Sequence, residues 1–333
     1  MKQIIKRGSF LTLMFMLLGC LSLYAADNDL TTKQITIKLE RAGTLPDRIA
    51  SSRKYKITNL KIVGEINGTD LKMIRDMAGS NSTGDSTDGK LSVLDLSEAK
   101  IVEGGDYYYY DYDNNRNNYY YTSNDVIGDK AFYYCRGLTS LNLPAGITKI
   151  GGGAFEGCSG LTSLNLPDGI TEIGDRAFYD CSGLTSLTLP AGITSIGRGA
   201  FNGCSGLTSL TLPDGVTSIY FDAFAGCSGL TSIYVYAEKV PKIDSKAFEG
   251  FDAKKCTLYV PMGTRDDYWV SNFGDYFENI VEFDATGIDK TTISTDIEEV
   301  ARYSVNGQRL SAPTKGLNIV KYSDGSVKKV TVR

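Results

Sequence analysis

Residues 184–206, LTSLTLPAGITSIGRGAFNGCSG, contain the unit of sequence that decides the fold of this chain. Leucine, phenylalanine and cysteine positions of this unit recur every 23 residues on both sides of it. The recurring positions are Leu138, Leu161, Leu184, Leu207 and Leu230; Phe132, Phe155, Phe178, Phe201 and Phe224; and Cys135, Cys158, Cys181, Cys204 and Cys227. A fixed period of roughly 20 to 29 residues with leucines spaced L-x-x-L-x-L predicts a solenoid. In such a fold each unit buries its apolar residues against its neighbours.

The next unit, residues 207–229, shows how one coil is built. Alternating leucines indicate a short strand that turns Ser209 and Thr211 outward. A Pro-Asp-Gly turn at 213–215 follows, and Val216 and Ile219 point inward again from a second short strand. Strands of successive coils are therefore expected to pair in parallel, and the repeat region is predicted over residues 126–260.

The repeated cysteines are predicted to form a buried ladder of free thiols. Phe251 holds the corresponding position in the sixth unit, so this position accepts apolar side chains, and a free cysteine packs as a small apolar residue. Equivalent residues on successive coils point the same way, which is poor geometry for a disulfide. Cys256 lies outside the register on a predicted strand and is expected to be buried too.

Composition narrows the classes of function. The chain has 333 residues, enough for two or more domains, and 35 basic against 39 acidic residues give a net charge of −4. This balance offers no electrostatic basis for binding nucleic acid or an anionic membrane. Histidine is absent, which removes histidine-based nucleophilic and zinc sites. No motif brings a particular carboxylate pair together, so a hydrolase is the least favoured class, and no cofactor or metal is predicted.

Residues 1–25 are predicted to be an export signal. A basic start, with Lys2, Lys6 and Arg7, precedes an apolar run over 10–18 that is too short to span a membrane. Two processing sites remain open. Residues 17–20 resemble a lipoprotein box that would leave a lipidated Cys20, whereas Ala25 or Ala26 suits an ordinary signal peptidase. The exported protein is then soluble or lipid-anchored.

Residues 26–125 are predicted to form an N-terminal cap with degenerate repeats, as solenoid ends require. Strands are predicted over 34–39, 57–62 and 91–96. Helices are predicted over 44–51 and after a Thr69 cap, the second carrying Leu71, Ile74 and Met77. Residues 80–90, rich in Ser, Gly and Asp, are predicted to be a mobile loop.

An insertion over 102–125 interrupts the first full coil and is rich in tyrosine. Its tyrosines are Tyr107, Tyr108, Tyr109, Tyr110, Tyr112, Tyr119, Tyr120 and Tyr121. Tyrosine supplies a large amphipathic contact area with few torsions to order, and insertions in solenoids often carry binding. The insertion is therefore a candidate binding loop; the alternative is a disordered or self-packed loop over the N-terminal coils. Asp106, Asp111 and Asp113 lack the glycine and later glutamate of a known calcium loop.

The outward strand positions form a second candidate surface. They make two uncharged rows, and the candidate binding residues in them are Ser163, Asn165, Ser186, Thr188, Ser209, Thr211 and Tyr234. Such rows can dock a protein or a glycan. The alternative is a solvated face that only keeps the solenoid from aggregating.

Beyond the repeats, residues 261–283 are predicted to cap the last coil with an aromatic lid of Trp269, Phe273, Tyr276 and Phe277. Residues 284–299 are polar and are predicted to be a linker. Residues 300–333 contain strand-like runs over 300–305, 317–322 and 327–332, with hairpin turns at Asn306-Gly307 and Asp324-Gly325. They predict a small β-rich module.

The units with Leu184, Leu187, Leu189, Ala200-Phe201 and Cys204 resemble the BspA-like leucine-rich repeats of Bacteroidetes and oral treponemes. This resemblance covers 126–260 closely and 55–125 loosely. It implies a surface protein, since several members adhere to host matrix or to other bacteria. The tail, with its YSVNGQR segment at 303–309, is similar to the C-terminal sorting module of type IX secretion cargo.

The sequence thus predicts an α/β solenoid. It is a leucine-rich repeat array of 23-residue units with a mostly parallel β-sheet, a helical N-terminal cap and a small C-terminal β-module. The predicted function is non-catalytic adhesion, with binding of a protein or glycan on host matrix or neighbouring cells. Membrane contact is expected only through a lipid anchor or the sorting tail. The alternative is a structural or self-associating component of the cell envelope.

Overall fold

A computed structural model of the chain describes residues 30–113, 115–250, 252, 254–285, 299–304, 309–310, 315–322 and 327–332. Two compact units divide after Ala285. The predicted signal peptide, the candidate lipidation site Cys20, Phe251, both tail hairpin turns and most of the predicted linker lie outside the described residues.

The first unit contains a ten-stranded and a six-stranded parallel sheet. The strands of the larger sheet are β1 (Ile35–Leu39), β2 (Asn59–Ile66), β3 (Val93–Ile101), β7 (Ser140–Asn142), β9 (Ser163–Asn165), β11 (Ser186–Thr188), β13 (Ser209–Leu212), β15 (Ser232–Val235), β17 (Thr257–Pro261) and β18 (Asn279–Phe283), paired in that order. The smaller sheet holds β6 (Val126–Ile127), β8 (Lys149–Ile150), β10 (Glu172–Ile173), β12 (Ser195–Ile196), β14 (Ser218–Ile219) and β16 (Lys242–Ile243). Each regular coil thus contributes one strand to each sheet, as a repeat solenoid requires, and the predicted fold is confirmed.

The register of the larger sheet follows the sequence period. Ser186 lies opposite Ser209, and Leu187 lies opposite Leu210. Equivalent side chains therefore stack on one another. The repeated phenylalanine rings form a column with centroids 5.2 or 5.3 Å apart between neighbouring rings of Phe132, Phe155, Phe178, Phe201, Phe224 and Phe248. All six are buried, so this column is the centre of the core.

Threonine hydroxyl groups join the coils beside the larger sheet. Thr162 Oγ1 donates to the Thr139 carbonyl at 3.1 Å, and Thr185 Oγ1 donates to the Thr162 carbonyl at 3.2 Å. The backbone N–H of each threonine donates to the same carbonyl. Thr208 and Thr231 continue this series. The threonine of the L-T-S-L segment therefore has a structural role that the sequence prediction did not include.

The repeated cysteines are buried free thiols, as predicted, and so is Cys256. Each thiol of the ladder after Cys135 also donates a hydrogen bond to a phenylalanine carbonyl of the preceding coil. Cys158 Sγ lies 3.0 Å from Phe132 O, and Cys181 Sγ lies 3.0 Å from Phe155 O. Cysteine at this position therefore satisfies a backbone acceptor as well as filling apolar space.

We expect stability to fall as pH rises above about 8.5, the pKa of a cysteine in an unfolded chain. Burial raises the pKa of Cys135 to about 11 and that of Cys227 to about 12. Burial also holds the pKa values of Cys158, Cys181 and Cys204 well above the ordinary value. The folded state keeps thiol protons that the unfolded chain releases above about pH 8.5. The stabilisation from each buried thiol is therefore complete below about pH 8.5, and above it the free energy of unfolding falls by about 1.4 kcal/mol per pH unit for each thiol. Urea unfolding at pH values between about 8 and about 9.5 measures this loss, because most tyrosines of the unfolded chain, with an ordinary pKa of about 10, are still protonated there.

The matched variant for this pH dependence is Cys227→Ala. It removes one titrating thiol, so its unfolding free energy should fall less steeply with pH, by about 1.4 kcal/mol per pH unit. An equal slope in the variant and the parent protein would contradict a ladder of protonated buried thiols.

The N-terminal cap has two helices, α1 (Leu45–Arg48) and α2 (Gly68–Met77), with a short 3-10 turn at Lys54–Lys56. Helix α1 is shorter than the predicted 44–51. The predicted Thr69 cap of α2 is wrong. Asn67 caps the helix, because its side chain accepts from Thr69 N–H at 3.1 Å while Asp70 accepts from Asn67 N–H at 3.0 Å.

Residues 80–90, predicted as a mobile loop, contain a turn held by hydrogen bonds. Asn81 Oδ1 accepts from the N–H groups of Thr83 and Asp85, both at 2.9 Å. The backbone of Thr87 donates to Gly79 O at 3.1 Å. These bonds tie the segment to the end of α2.

The C-terminal cap contains helix α3 (Arg265–Val270) and closes the phenylalanine column. Phe273 and Phe277 are buried against Phe248, as the predicted lid requires. The prediction for Trp269 is wrong, because its side chain is 49% exposed. Its neighbour Tyr268 is buried instead, and the Tyr268 hydroxyl donates to Ala237 O at 2.7 Å. The orientation of helix α3 therefore turns Tyr268 inward and leaves its neighbour Trp269 outside.

The second unit is a four-stranded antiparallel sheet. Its strands, in the order β20-β19-β21-β22, are β19 (Glu299–Ser304), β20 (Arg309–Leu310), β21 (Gly316–Tyr322) and β22 (Val327–Val332). Three of these match the strand-like runs of the tail, and the short β20 was not predicted.

Candidate binding surfaces

The tyrosine-rich insertion is not a loop. It forms an antiparallel hairpin of β4 (Gly104–Asp113) and β5 (Arg116–Thr122), which we call the tyrosine hairpin. Strand β3 before it and β7 after it pair directly with each other. The larger sheet therefore continues without a break, and the hairpin is an addition to one coil.

One face of the tyrosine hairpin belongs to the core, and the register of β4 against β5 shifts between Gly104 and Tyr109, which interrupts the regular alternation of side chains there. Tyr108 and Tyr109 are buried; the Tyr108 hydroxyl donates to Asp129 O at 2.7 Å, and the Tyr109 ring packs 5.3 Å from Tyr133. Tyr120 is half-buried against Tyr109 at 5.6 Å. The prediction that Tyr108 and Tyr109 contact a partner is therefore wrong, since their side chains are not accessible.

A half-buried cation organises this inner face. Lys130 Nζ lies 2.6 Å from Asp111 Oδ2 and within 5.8 Å of the ring centroids of Tyr109, Tyr120 and Tyr133. Burial by itself raises the pKa of Asp111, but hydrogen bonds from Lys130 and Asn118 outweigh it and hold that pKa below its ordinary value. Asp111 is thus an ion-pair partner that secures the hairpin to the first coil.

The other face of the hairpin presents a cluster of tyrosine rings. The Tyr107 ring lies 5.7 Å from Tyr110, 5.0 Å from Tyr119 and 6.5 Å from Tyr121, each contact edge-to-face. Lys72 Nζ lies 4.5 Å from the Tyr107 centroid. Tyr119 and Tyr121 are 48% and 54% exposed, and Tyr112 near the turn is 66% exposed. Of the predicted tyrosines, those that remain candidates for contacting a partner are Tyr107, Tyr110, Tyr112, Tyr119 and Tyr121.

The hairpin lies directly on the start of helix α2. Asp106 N–H donates to Thr69 Oγ1 at 2.9 Å, and Tyr110 N–H donates to Ser82 O at 2.8 Å. A Cβ atom at Gly68 would lie 1.8 Å from Asp106 O, so only glycine permits this approach. The hairpin is therefore held on both sides, by the cap helix and by the first coil.

Arg75 of helix α2 joins the cap to the same coil. It is fully buried, and its guanidinium donates to the carbonyl oxygens of Lys130 at 2.8 Å, Ala131 at 3.0 Å, Asn81 at 2.9 Å and Tyr133 at 3.2 Å. Desolvation lowers the pKa of Arg75, but arginine stays charged in proteins. Carbonyl dipoles therefore compensate this charge.

The outward rows of the larger sheet lie where the sequence predicted them. The exposed members are Ser163, Asn165, Ser186, Thr188 and Ser209, and the half-buried members are Thr211 and Tyr234. Strand pairing sets Ser163, Ser186 and Ser209 side by side, and Asn165, Thr188 and Thr211 likewise. We call these two rows the hydroxyl shelf.

The C-terminal end of the shelf carries an aromatic group that the sequence reasoning largely missed. Tyr234 and Tyr259 stack with centroids 4.4 Å apart and planes 7° apart. Phe283 meets Tyr234 at 5.7 Å and Tyr236 at 5.0 Å, both edge-to-face. Only Tyr234 was predicted. A signal was present, because Ser-Ile-Tyr at 232–234 and Thr-Leu-Tyr at 257–259 place tyrosine at the same strand position.

A surface groove lies beside helix α2. Its lining includes Ile49, Lys54, Lys72, Asp76 and Asp106. Asp76 accepts hydrogen bonds from Lys54 and from the Tyr55 hydroxyl. This carboxylate is therefore an ion-pair partner, and the hydrolase alternative gains no support from the groove.

Among the residues that the structure describes, no three histidine, cysteine, aspartate or glutamate side chains are grouped so that they could hold a metal ion. Within the same residues, no helix combines the length and the apolar character that crossing a membrane requires.

These features define the class: a parallel β-solenoid of short repeats with capped ends. Residues 125–254 match the BspA type leucine rich repeat region in six copies. This match covers the regular coils of the solenoid.

Solved structures of similar proteins include a leucine rich repeat protein of T. pallidum, which is 37% identical over 33% of this chain and 51% of its own, with a TM-score of 0.32. A leucine-rich repeat protein from Bacteroides ovatus is 28% identical over 42% of this chain and 44% of its own, with a TM-score of 0.33. The pneumococcal vaccine antigen PcpA is 17% identical over 68% of each chain, with a TM-score of 0.37. This chain thus spans about half the length of the first two proteins. No curated protein matches it.

Proposed function

We propose that this protein is a non-catalytic, surface-displayed binding protein whose tyrosine hairpin contacts a protein partner. The observation that carries the proposal is that the hairpin has one face in the core and one face exposed. One face is fixed in the core through Tyr108 and Tyr109, while Tyr112, Tyr119 and Tyr121 project from the hairpin with about half or more of each side chain exposed. Export and surface display rest on the sequence of residues 1–25 and on the similarity of the tail to a sorting module.

The arrangement lowers the cost of binding. Rings that already contact one another, as Tyr107 and Tyr119 do at 5.0 Å, lose little freedom when a partner covers them. Tyrosine is also enriched among residues that dominate binding energy at protein interfaces. The hairpin therefore presents a preorganised aromatic patch.

The surroundings of the patch favour a protein over a glycan. Lys72 lies against Tyr107, and exposed charged residues Asp106, Asp113 and Arg116 lie on the same hairpin. An aromatic centre with a mixed charged rim has the composition of a protein interface. Ring edges also fill much of the space beside the ring faces on which a sugar would stack.

Replacing both Tyr119 and Tyr121 with alanine is expected to weaken binding to the protein partner at least tenfold, because each removes an exposed ring of the patch. The measurement is surface plasmon resonance of the full chain against immobilised extracellular-matrix proteins and glycans. A matched control is Tyr220→Ala, which removes a tyrosine that is exposed to a similar degree next to strand β14.

Deleting residues 106–121 is not a usable test, because it would remove Tyr108 and Tyr109 from the core. The point variants should unfold at the same temperature as the parent protein. If protein binding survives the double substitution, the hairpin is not the binding site. If the protein binds only glycans and the double substitution abolishes that binding, the hairpin binds glycans and not a protein.

The second candidate is a self-associating envelope component. The terminal strands β1 and β18 each pair with one neighbour among the described residues, and sheet edges can recruit further strands. Size-exclusion chromatography over a range of concentrations separates the two functions. A monomer throughout favours the binding protein, and oligomers that grow with concentration favour self-association.

A further inference from the structure

We propose that the C-terminal end of the hydroxyl shelf is a separate binding site for a neutral, extended oligosaccharide. The site consists of the Tyr234 ring as a wall and of Ser209, Thr211, Ser186 and Thr188 as a floor. It is distinct from the tyrosine hairpin, so either proposal can fail without the other.

The wall arises where the repeat changes. The Tyr259 ring stacks 4.4 Å from Tyr234 on the side of strand β17. On the other side, strand β13 places Thr211 in register with Tyr234. A threonine is too small to cover an aromatic ring, so the ladder of stacked rings ends there. One face of Tyr234 is left beside small side chains, while the edge-to-face contact with Phe283 supports the ring.

The floor supplies hydrogen-bonding groups at a regular spacing. Ser209 and Thr211 lie beside Ser186 and Thr188 on the next strand. Neighbouring strands are about 4.8 Å apart, which is close to the length of one pyranose unit in an extended chain. Successive sugar units can therefore meet equivalent hydroxyl pairs as the chain crosses the strands away from Tyr234.

The charge of the site selects the ligand. From β7 to β17, the two outward rows hold only serine, threonine, asparagine and tyrosine. These residues are Ser140, Asn142, Ser163, Asn165, Ser186, Thr188, Ser209, Thr211, Ser232, Tyr234, Thr257 and Tyr259. A charged ligand would be desolvated here without a counter-charge. A neutral sugar matches the surface, because its apolar ring face stacks on tyrosine and its hydroxyl rim meets hydroxyl and amide groups.

This arrangement also differs from that of a peptide site. The shelf is the face of a sheet rather than its edge, so a peptide backbone cannot extend the ladder of main-chain hydrogen bonds there. The polar rows also offer no apolar pocket for a side chain to anchor in. The observations therefore favour the sugar.

The test is saturation-transfer NMR and calorimetry of the full chain with cellohexaose and xylohexaose as neutral, extended β-1,4 probes. A polygalacturonate hexamer serves as the charged probe and a proline-rich peptide as the protein probe. We expect binding of a neutral probe, at least tenfold weaker in Tyr234→Ala and retained in Tyr234→Phe. Tyr220→Ala, which alters an exposed tyrosine beside the smaller sheet, should bind like the parent protein.

A second variant separates loss of the site from loss of the fold. Thr211→Leu places an aliphatic side chain in register with Tyr234; it covers the open ring face and offers no ring of its own, so the protein should stay folded while binding is lost. The proposal is overturned if neither neutral probe binds, or if binding survives both Tyr234→Ala and Thr211→Leu. It is also overturned if only the charged probe or the peptide binds at this site.

Discussion

Replacing Phe178 with alanine is expected to lower the free energy of unfolding by about 3–5 kcal/mol. The Phe178 ring is fully buried and stacks 5.2 Å from both Phe155 and Phe201. Its loss therefore leaves a cavity that faces two neighbouring coils. Because stability in a repeat array is a sum of unit and interface terms, the variant weakens one unit and both of its interfaces. Urea unfolding followed by circular dichroism measures the change.

The control is Phe221→Ala, in the same repeat array. The Phe221 side chain is 36% exposed and lies outside the phenylalanine column, so its removal should cost much less than that of Phe178. If the two variants lose the same free energy, the column is not the principal source of stability.

Replacing Arg75 with methionine is expected to cost about 3 kcal/mol or more and to broaden the unfolding transition. Methionine fills part of the volume but leaves the Ala131 carbonyl without its donor, at about 1–3 kcal/mol, and also removes the charged bonds to Asn81 and Tyr133. Because these bonds join helix α2 to the first coil, the N-terminal cap should unfold before the repeats. Hydrogen exchange over residues 59–77 would detect this early opening.

Arg75→Lys should not rescue this defect, because one ammonium group cannot reach acceptors that a planar guanidinium contacts together. Arg116→Met, at an exposed hairpin position, serves as the control and should be nearly neutral. A single cooperative transition in Arg75→Met, with unchanged exchange in the cap, would show that Arg75 does not couple the two parts.

The structure of the repeat region could be predicted closely, because the same sequence pattern specifies both the local strands and the residues that pair between coils. A 23-residue period places Leu187 beside Leu210 and Cys181 next to the coil of Cys158, so one pattern predicts both the inward positions and the pairing partners. Departures from the period were harder to interpret. The order of residues 67–70 supports more than one capping residue, and only the backbone geometry selects Asn67 over Thr69.

The tyrosine hairpin shows most clearly what could not be predicted from the sequence. Four consecutive tyrosines at 107–110 carry no alternation of polar and apolar residues, so their sequence cannot distinguish an inner from an outer face. Their environment comes from distant residues. Gly68 permits the strand to approach, Lys130 pairs with Asp111, and Asp129 accepts from Tyr108.

By itself the sequence determined the coil, its core and its thiol ladder, because in a solenoid each residue's neighbours are its own copies one period away. Only the tertiary structure decided which tyrosines are accessible. It also showed that Tyr234 ends a ladder of rings beside small hydroxyl side chains. Both features arise where the period breaks, and there the neighbours are residues whose positions no repeat specifies.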